Sequence, residues 1–159
     1  FSWIGLQWSE VIPVTSVHGG LSLGEPLVFQ WLAQMAWGTL PTGYDLYLHP
    51  LAYAGWVGVF ITGLNLIPIG QLDGGHILYA LVRTKAHMIA TATLIAAVAA
   101  VMYFGYWGWS LMLFLLFLMG PRHPPTADDS IPLGLGRTIL GWLALAFIII
   151  GFTPQPFAG

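Results

Sequence analysis

From Pro50 to Ile67 the chain runs eighteen residues without a charged side chain, and six positions later it meets one acid, Asp73, with apolar sequence on both sides. Such a run is long enough for a transmembrane helix, because a hydrocarbon core of roughly 30 Å takes about 20 residues rising about 1.5 Å each. An acid near the centre of a bilayer costs roughly 2.5–3.5 kcal/mol on insertion scales, so the fold must offset the placement of Asp73. Ala54, Gly58 and Thr62 recur every four residues along the run, and small side chains at that spacing predict close approach of another helix. Pro68, Gly70, Gly74 and Gly75 then interrupt the apolar pattern. A shorter helix is expected to restart at about His76 and to run to Val82, giving a broken helix pair around one buried acid.

Composition points the same way. Of 159 residues 57% are apolar and 6% charged, against roughly 25% charged in soluble domains. With a mean hydropathy of +0.80, the composition excludes an ordinary water-soluble globule, a disordered chain and a collagen-like repeat, and implies a polytopic membrane protein. Four Lys and Arg against six Asp and Glu give a net charge of −2, so there is no basic surface to neutralise a phosphate backbone and nucleic acid is not an expected partner. Without cysteine there are no disulfides, thiolate metal sites or Cys nucleophile, and any metal must be held by His, Asp or Glu. The sequence opens on Phe1 with neither the basic flank nor the cleavage pattern of a signal peptide, and is expected to be part of a larger protein.

Residues 1 to 25 mix Trp, Gly, Pro and Ser without a sustained period and read as loop or interfacial chain. The apolar run from Pro26 to Leu40, broken by Pro41-Thr42-Gly43, is too short to span and is expected at the interface. After Arg83, Lys85 and His87, a run from Met88 to Phe104 turns at Gly105 to Gly108 and returns from Trp109 to Met119, which predicts a helical hairpin. Gly120 to Pro132 is the clearest aqueous loop, and a last span runs from Leu135 to Phe152. The hairpin puts the loops at 83–87 and 120–137 on one side of the membrane. All four basic residues, Arg83, Lys85, Arg122 and Arg137, fall in those loops, so the positive-inside rule makes that side cytoplasmic. The expected fold is all-α: a polytopic transmembrane helical bundle of about four spanning helices, with a broken helix and an interfacial segment. It forms a single membrane domain over 1–159, with loop and interfacial chain over 1–49 and the transmembrane core over 50–152.

Asp73 admits more than one reading. It could be the N-cap of the helix that restarts after it, accepting backbone N–H bonds while Gly74 and Gly75 permit the turn. It could instead be a metal ligand or proton carrier where broken helices admit water, and a transporter or channel with Asp73 as its ion or proton site belongs to this reading. Asn65, eight residues earlier, could present its amide to the same cavity, or serve as a helix C-cap or interhelical hydrogen-bonding group.

The string Asn65-Leu66-Ile67-Pro68-Ile69-Gly70-Gln71-Leu72-Asp73-Gly74-Gly75-His76 resembles the NxxPxxxxDGG signature of the site-2 protease family of intramembrane zinc metalloproteases. His49-Pro50-Leu51-Ala52-Tyr53-Ala54-Gly55 and Gly120-Pro121-Arg122-His123-Pro124-Pro125 also resemble bacterial members, so the likeness covers most of residues 24 to 157. The resemblance implies a catalytic zinc bound by Asp73 and by two His of an HExxH helix, with Asn65 helping to hold the substrate carbonyl or its developing oxyanion. Pro68, Gly74 and Gly75 are the backbone positions of the motif. It further implies a transmembrane protein as substrate and the lipid bilayer as surroundings. The topology above, with the Asp73 break about ten residues before the loop at Arg83, puts the opening of the site toward the cytoplasm.

One departure from the pattern stands out. No HExxH occurs in these 159 residues, and the only glutamates, Glu10 and Glu25, are not preceded by His. The HExxH helix is therefore expected upstream, and a relative that binds membrane helices without cutting them is the competing expectation within the family. Among the histidines, His76 is expected to be structural or pore-facing; it is also the best alternative metal candidate, because three residues along a helix bring it round by about 300°, close to the face of Asp73. His49 is expected where the chain approaches its helix at the interface, and His87 and His123 at headgroups or solvent. His18 carries no assignment. Most of the eight Trp are expected to anchor at the membrane interface.

Overall fold

The computed structural model describes residues 1–14, 22–120 and 133–158. It is mostly helical, as expected, with seven α-helices: α1 (Ser2–Gln7), α2 (Leu27–Trp37), α3 (Pro50–Asn65), α4 (Asp73–Val82), α5 (Lys85–Phe104), α6 (Ser110–Met119) and α7 (Leu135–Gly151). Four short strands were not foreseen: β1 (Glu10–Pro13), β2 (Ser22–Leu23), β3 (Tyr44–Tyr47) and β4 (Phe157–Ala158). Strand β1 pairs antiparallel with β3, Glu10 opposite Tyr47 and Pro13 opposite Tyr44, and β2 pairs antiparallel with β4. Strands of two to four residues carry too few alternations to register as a period, and their partners lie far along the chain. Among the described residues one helix, α5, is long and apolar enough to cross a membrane. Helices α3, α6 and α7 have 16, 10 and 17 residues.

Two compact units emerge from the backbone, one made of Phe1–Gly63 with Ile149–Gly159, the other of Leu64–Ile148. The first is built round Leu6, Phe29, Ala52 and Trp56, all almost fully buried. Helix α2 begins after Pro26, whose carbonyl accepts the Phe29 and Gln30 N–H groups, and stops at Gly38 with φ +70°. Proline before and glycine after a helix is the ordinary asymmetry of its two ends. Two indoles of this unit find polar partners: Trp37 Nε1–H donates to the Leu6 carbonyl at 2.6 Å and the buried Trp56 Nε1–H to the Gly24 carbonyl at 2.9 Å. Where the chain approaches α3, His49 Nδ1 accepts the Leu51 N–H at 3.2 Å, and Ser9 Oγ accepts the His49 N–H at 3.0 Å while donating to the Gly5 carbonyl at 2.9 Å. His49 thus caps the first turn of α3 with its imidazole.

The expected close approach along Ala54, Gly58 and Thr62 is not found among the described residues. All three are exposed, and a methyl built on Gly58 would meet nothing within 4 Å. Instead α3 buries Ala52, Trp56 and Gly63.

In the second unit, α5 buries Ala86, Ala90, Leu94 and Val101, spacings of four, four and seven that trace one helical face. Leu94 and Val101 join Leu113 and Leu116 of α6 and the buried Ile69 in one cluster. Outside that face the hairpin is apolar and exposed, with Ile95, Met102, Leu111, Phe114, Phe117 and Leu118 all turned outward. A helix apolar all round belongs in a core or a bilayer.

Candidate functional site

The signature segment lies wholly in the second unit. Helix α3 ends at Asn65 and α4 begins at Asp73. Pro68 has no N–H to extend a helical ladder, and the link closes instead through short-range bonds. Ile67 N–H donates to the Leu64 carbonyl at 3.2 Å, Ile69 N–H to Ile67 at 2.8 Å, and Leu72 N–H to Ile69 at 3.2 Å. Gly70 takes φ +57°, where a side chain is disfavoured. Leu72 is extended and His76 N–H reaches back to its carbonyl at 3.1 Å.

Three expectations are corrected here. The helix starts at Asp73 rather than near His76, and its N-cap is Leu72, with no side-chain capping bond. The capping account of Asp73 therefore fails, and the favourable local term left to the carboxylate is its place in the first turn, near the positive end of the helix dipole. Nor is the acid buried: Asp73, His76 and Asn65 are all exposed, whereas Gly74 and Gly75 between the first two are buried. Successive residues rotate by about 100°, so packing the two glycines inward turns both Asp73 and His76 out.

The glycines hold this geometry by closeness rather than by unusual dihedrals, since neither has positive φ. A methyl on Gly74 would run into the Leu66 and Ile67 carbonyl oxygens, and one on Gly75 into the Gly70 carbonyl. The first turn of α4 thus lies backbone against backbone on the link that precedes it. Ile69, 1% exposed, fixes the link from the other side by inserting into the α5–α6 cluster. Behind the link, Pro68, Gly70, Gly75, Leu78, Ala86, His87 and Ala90 line a hollow too narrow for a water molecule. His87, expected among headgroups or solvent, is instead half-buried and stacked on Tyr79, with ring centroids 5.6 Å apart. Its aromatic partner lies eight residues away across a turn, a relation no local pattern announces.

Among the described residues no three of His, Asp and Glu come together as a metal-binding group. The described donor set therefore does not by itself fit a catalytic zinc, which takes three protein ligands and an open position. Asp73 presents an exposed carboxylate in the first turn of α4. Arg122, His123, Asp128 and Asp129, and His18, lie outside the described residues. In the first unit, burial and then the neighbouring Asp45 carboxylate raise Glu25 above its ordinary carboxylate value.

Comparison with known proteins shows what the chain carrying this broken helix is similar to. The model of peptidase family M50 matches residues 35–108. The chain is 37% identical over 114 residues to the probable zinc metalloprotease EGY3, chloroplastic, of Oryza sativa subsp. indica, covering 68% of this chain and 19% of that protein. It is 31% identical over 120 residues to the probable zinc metalloprotease EGY2, chloroplastic, of Arabidopsis thaliana, covering 75% and 21%. A probable zinc metallopeptidase EGY3, chloroplastic, of Arabidopsis thaliana is 31% identical over 122 residues, covering 74% and 20%. No solved structure matches. The match over residues 35–108 supports the resemblance to the site-2 protease family that the NxxPxxxxDGG string carries. The chain spans about one fifth of the length of the relatives it matches.

Proposed function

We propose that this chain is the part of a zinc-dependent intramembrane protease that carries the aspartate ligand, and that the enzyme cleaves transmembrane segments of membrane-anchored regulatory proteins. The observation that supports it most is the outward presentation of Asp73 by a backbone-packed helix start within the residues that match family M50. Zinc is the metal named in the relatives, and when bound it supplies a polarised carbonyl and an activated water. Two His of an HExxH, absent from these 159 residues, complete the ligand set in this reading.

Within the chain, Asp73 holds the metal from the first turn of α4, and Asn65, exposed at the end of α3, offers an amide N–H to the substrate carbonyl and its developing oxyanion. Gly74 and Gly75 keep Asp73 from shifting. The apolar outer faces of α5, α6 and α7 meet lipid, the chain is multi-pass, and the turn at 83–87 lies with the 120–137 loop on the cytoplasmic side.

The test is cleavage of a membrane-anchored reporter by the complete reading frame carrying this segment. Asp73→Asn at normal expression is expected to lower cleavage at least about a hundredfold, as loss of a metal ligand or its support does, and a zinc chelator should do the same to the parent. Cleavage unchanged by Asp73→Asn would overturn the assignment. Asn65→Ala is expected to cost about 10²–10³ in turnover, the usual loss for one oxyanion donor, with metal content unchanged.

A further inference from the structure

We propose that the end of the second unit where α4 turns into α5 binds the phosphate headgroups of anionic lipids through Arg83, Lys85 and Arg137. This rests on the membrane reading above and not on the protease chemistry.

Helix α7 runs antiparallel to α4 within the unit. A methyl on Gly141 would stand 3.1–3.3 Å from the Leu81 side chain, and Leu145 packs against Leu78, Tyr79 and Ala86. Passing from Gly141 to Leu145 along α7 thus runs from Leu81 back toward Leu78 and Tyr79, the sense opposite to α4. Carried one turn further, that register sets Arg137 level with the turn at Arg83-Thr84-Lys85. Arg137 and Lys85 are exposed and Arg83 is partly so. Helices α5 and α7 contain no acidic residue, and the one acid of α4, Asp73, lies at its other end.

Immediately below the three cations the surface is apolar: Met88 and Ile89 on α5, and Ile139, Leu140 and Leu143 on α7, are exposed. Cations level with one another above an apolar band match an anionic headgroup above its acyl chains. Charge complementarity therefore selects anionic lipid over zwitterionic lipid as the occupant of this edge.

The test is spin-label lipid association with the protein reconstituted in phosphatidylcholine bilayers, using trace labelled phosphatidylglycerol or labelled phosphatidylcholine. The motionally restricted fraction is expected to favour phosphatidylglycerol about fivefold or more at low salt, since each basic residue near such a surface contributes about that factor. The preference should fall toward parity in 0.5 M salt and in Lys85→Gln/Arg137→Gln, and survive in Lys85→Arg. Adding Arg83→Gly to the double variant removes the third charge at a position with φ +56° that glycine adopts readily, so folding is retained. Equal association of the two lipids with the parent, or an unchanged preference in the triple variant, would overturn the proposal. Displacement of labelled phosphatidylglycerol by millimolar inorganic phosphate would also overturn it, by revealing a free-anion site. If neither lipid is restricted, the membrane reading fails as well.

Discussion

Inside the unit Leu64–Ile148 glycine serves the first turn of α4 and the turn between α5 and α6 for opposite reasons. At Gly105 the residue itself is left-handed, φ +73° and ψ 22°, and a methyl there would meet nothing within 4 Å. At Gly74 and Gly75 the dihedrals are ordinary, and it is neighbouring backbone that leaves no room for a methyl. The first kind of turn only reverses the chain. The second fixes one helix start against the segment before it, and thereby fixes where Asp73 points.

The sharpest way to break this contrast is to loosen the link. Ile69→Ala removes a side chain that is 1% exposed in the α5–α6 cluster and is expected to cost about 3 kcal/mol in reversible unfolding in micelles, within the usual range for such truncations. Next come Gly74→Ala and Gly75→Ala, each expected to cost about 2–3 kcal/mol, because the atoms in the way are backbone carbonyls and not flexible side-chain ends. Gly105→Ala should cost only about 1 kcal/mol, the left-handed penalty alone, and Gly108→Ala, with open space around it, less than about 0.5 kcal/mol. Equal losses at Gly74 and Gly105 would erase the distinction.

The smallest effect belongs to Glu25 in the other unit. Its folded value is raised, by burial first and Asp45 second, so the folded state holds a proton that the unfolded chain releases earlier. Stability from this group is full below the ordinary carboxylate value and is lost as pH rises through the raised one. Glu25→Gln should flatten that slope in thermal unfolding followed from pH 4 to 7, while an unaltered slope would remove Glu25 as its source.

How much of this was legible depended on whether the cause was local. Helices α5 and α7 follow the apolar runs to within a few residues, because the runs are long and end at Arg83-Thr84 and at glycine. The break between Asn65 and Asp73 was legible for the same reason, since Pro68 and Gly70 interrupt the ladder wherever they stand. The role of Gly74 and Gly75 was half legible: the sequence allowed either a turn or a close approach, and only the position of the Leu66 and Gly70 carbonyls decides for the second. The start of α4 was misplaced by three residues because the glycines, poor helix formers in isolation, are held helical by that contact. The strand pairs β1–β3 and β2–β4, and the stack of His87 on Tyr79, depend on partners distant in the chain and left no period to read. The exposed row Ala54, Gly58 and Thr62 shows the converse, a legible pattern without a partner among the described residues.

The most direct measurement is zinc stoichiometry of the purified complete polypeptide, parent against Asp73→Asn, with Gly108→Ala as the folded control. About one zinc per polypeptide in the parent and the control, falling close to zero in Asp73→Asn with its helical content intact, is the result expected if Asp73 is a ligand. Full zinc retention in Asp73→Asn would contradict it.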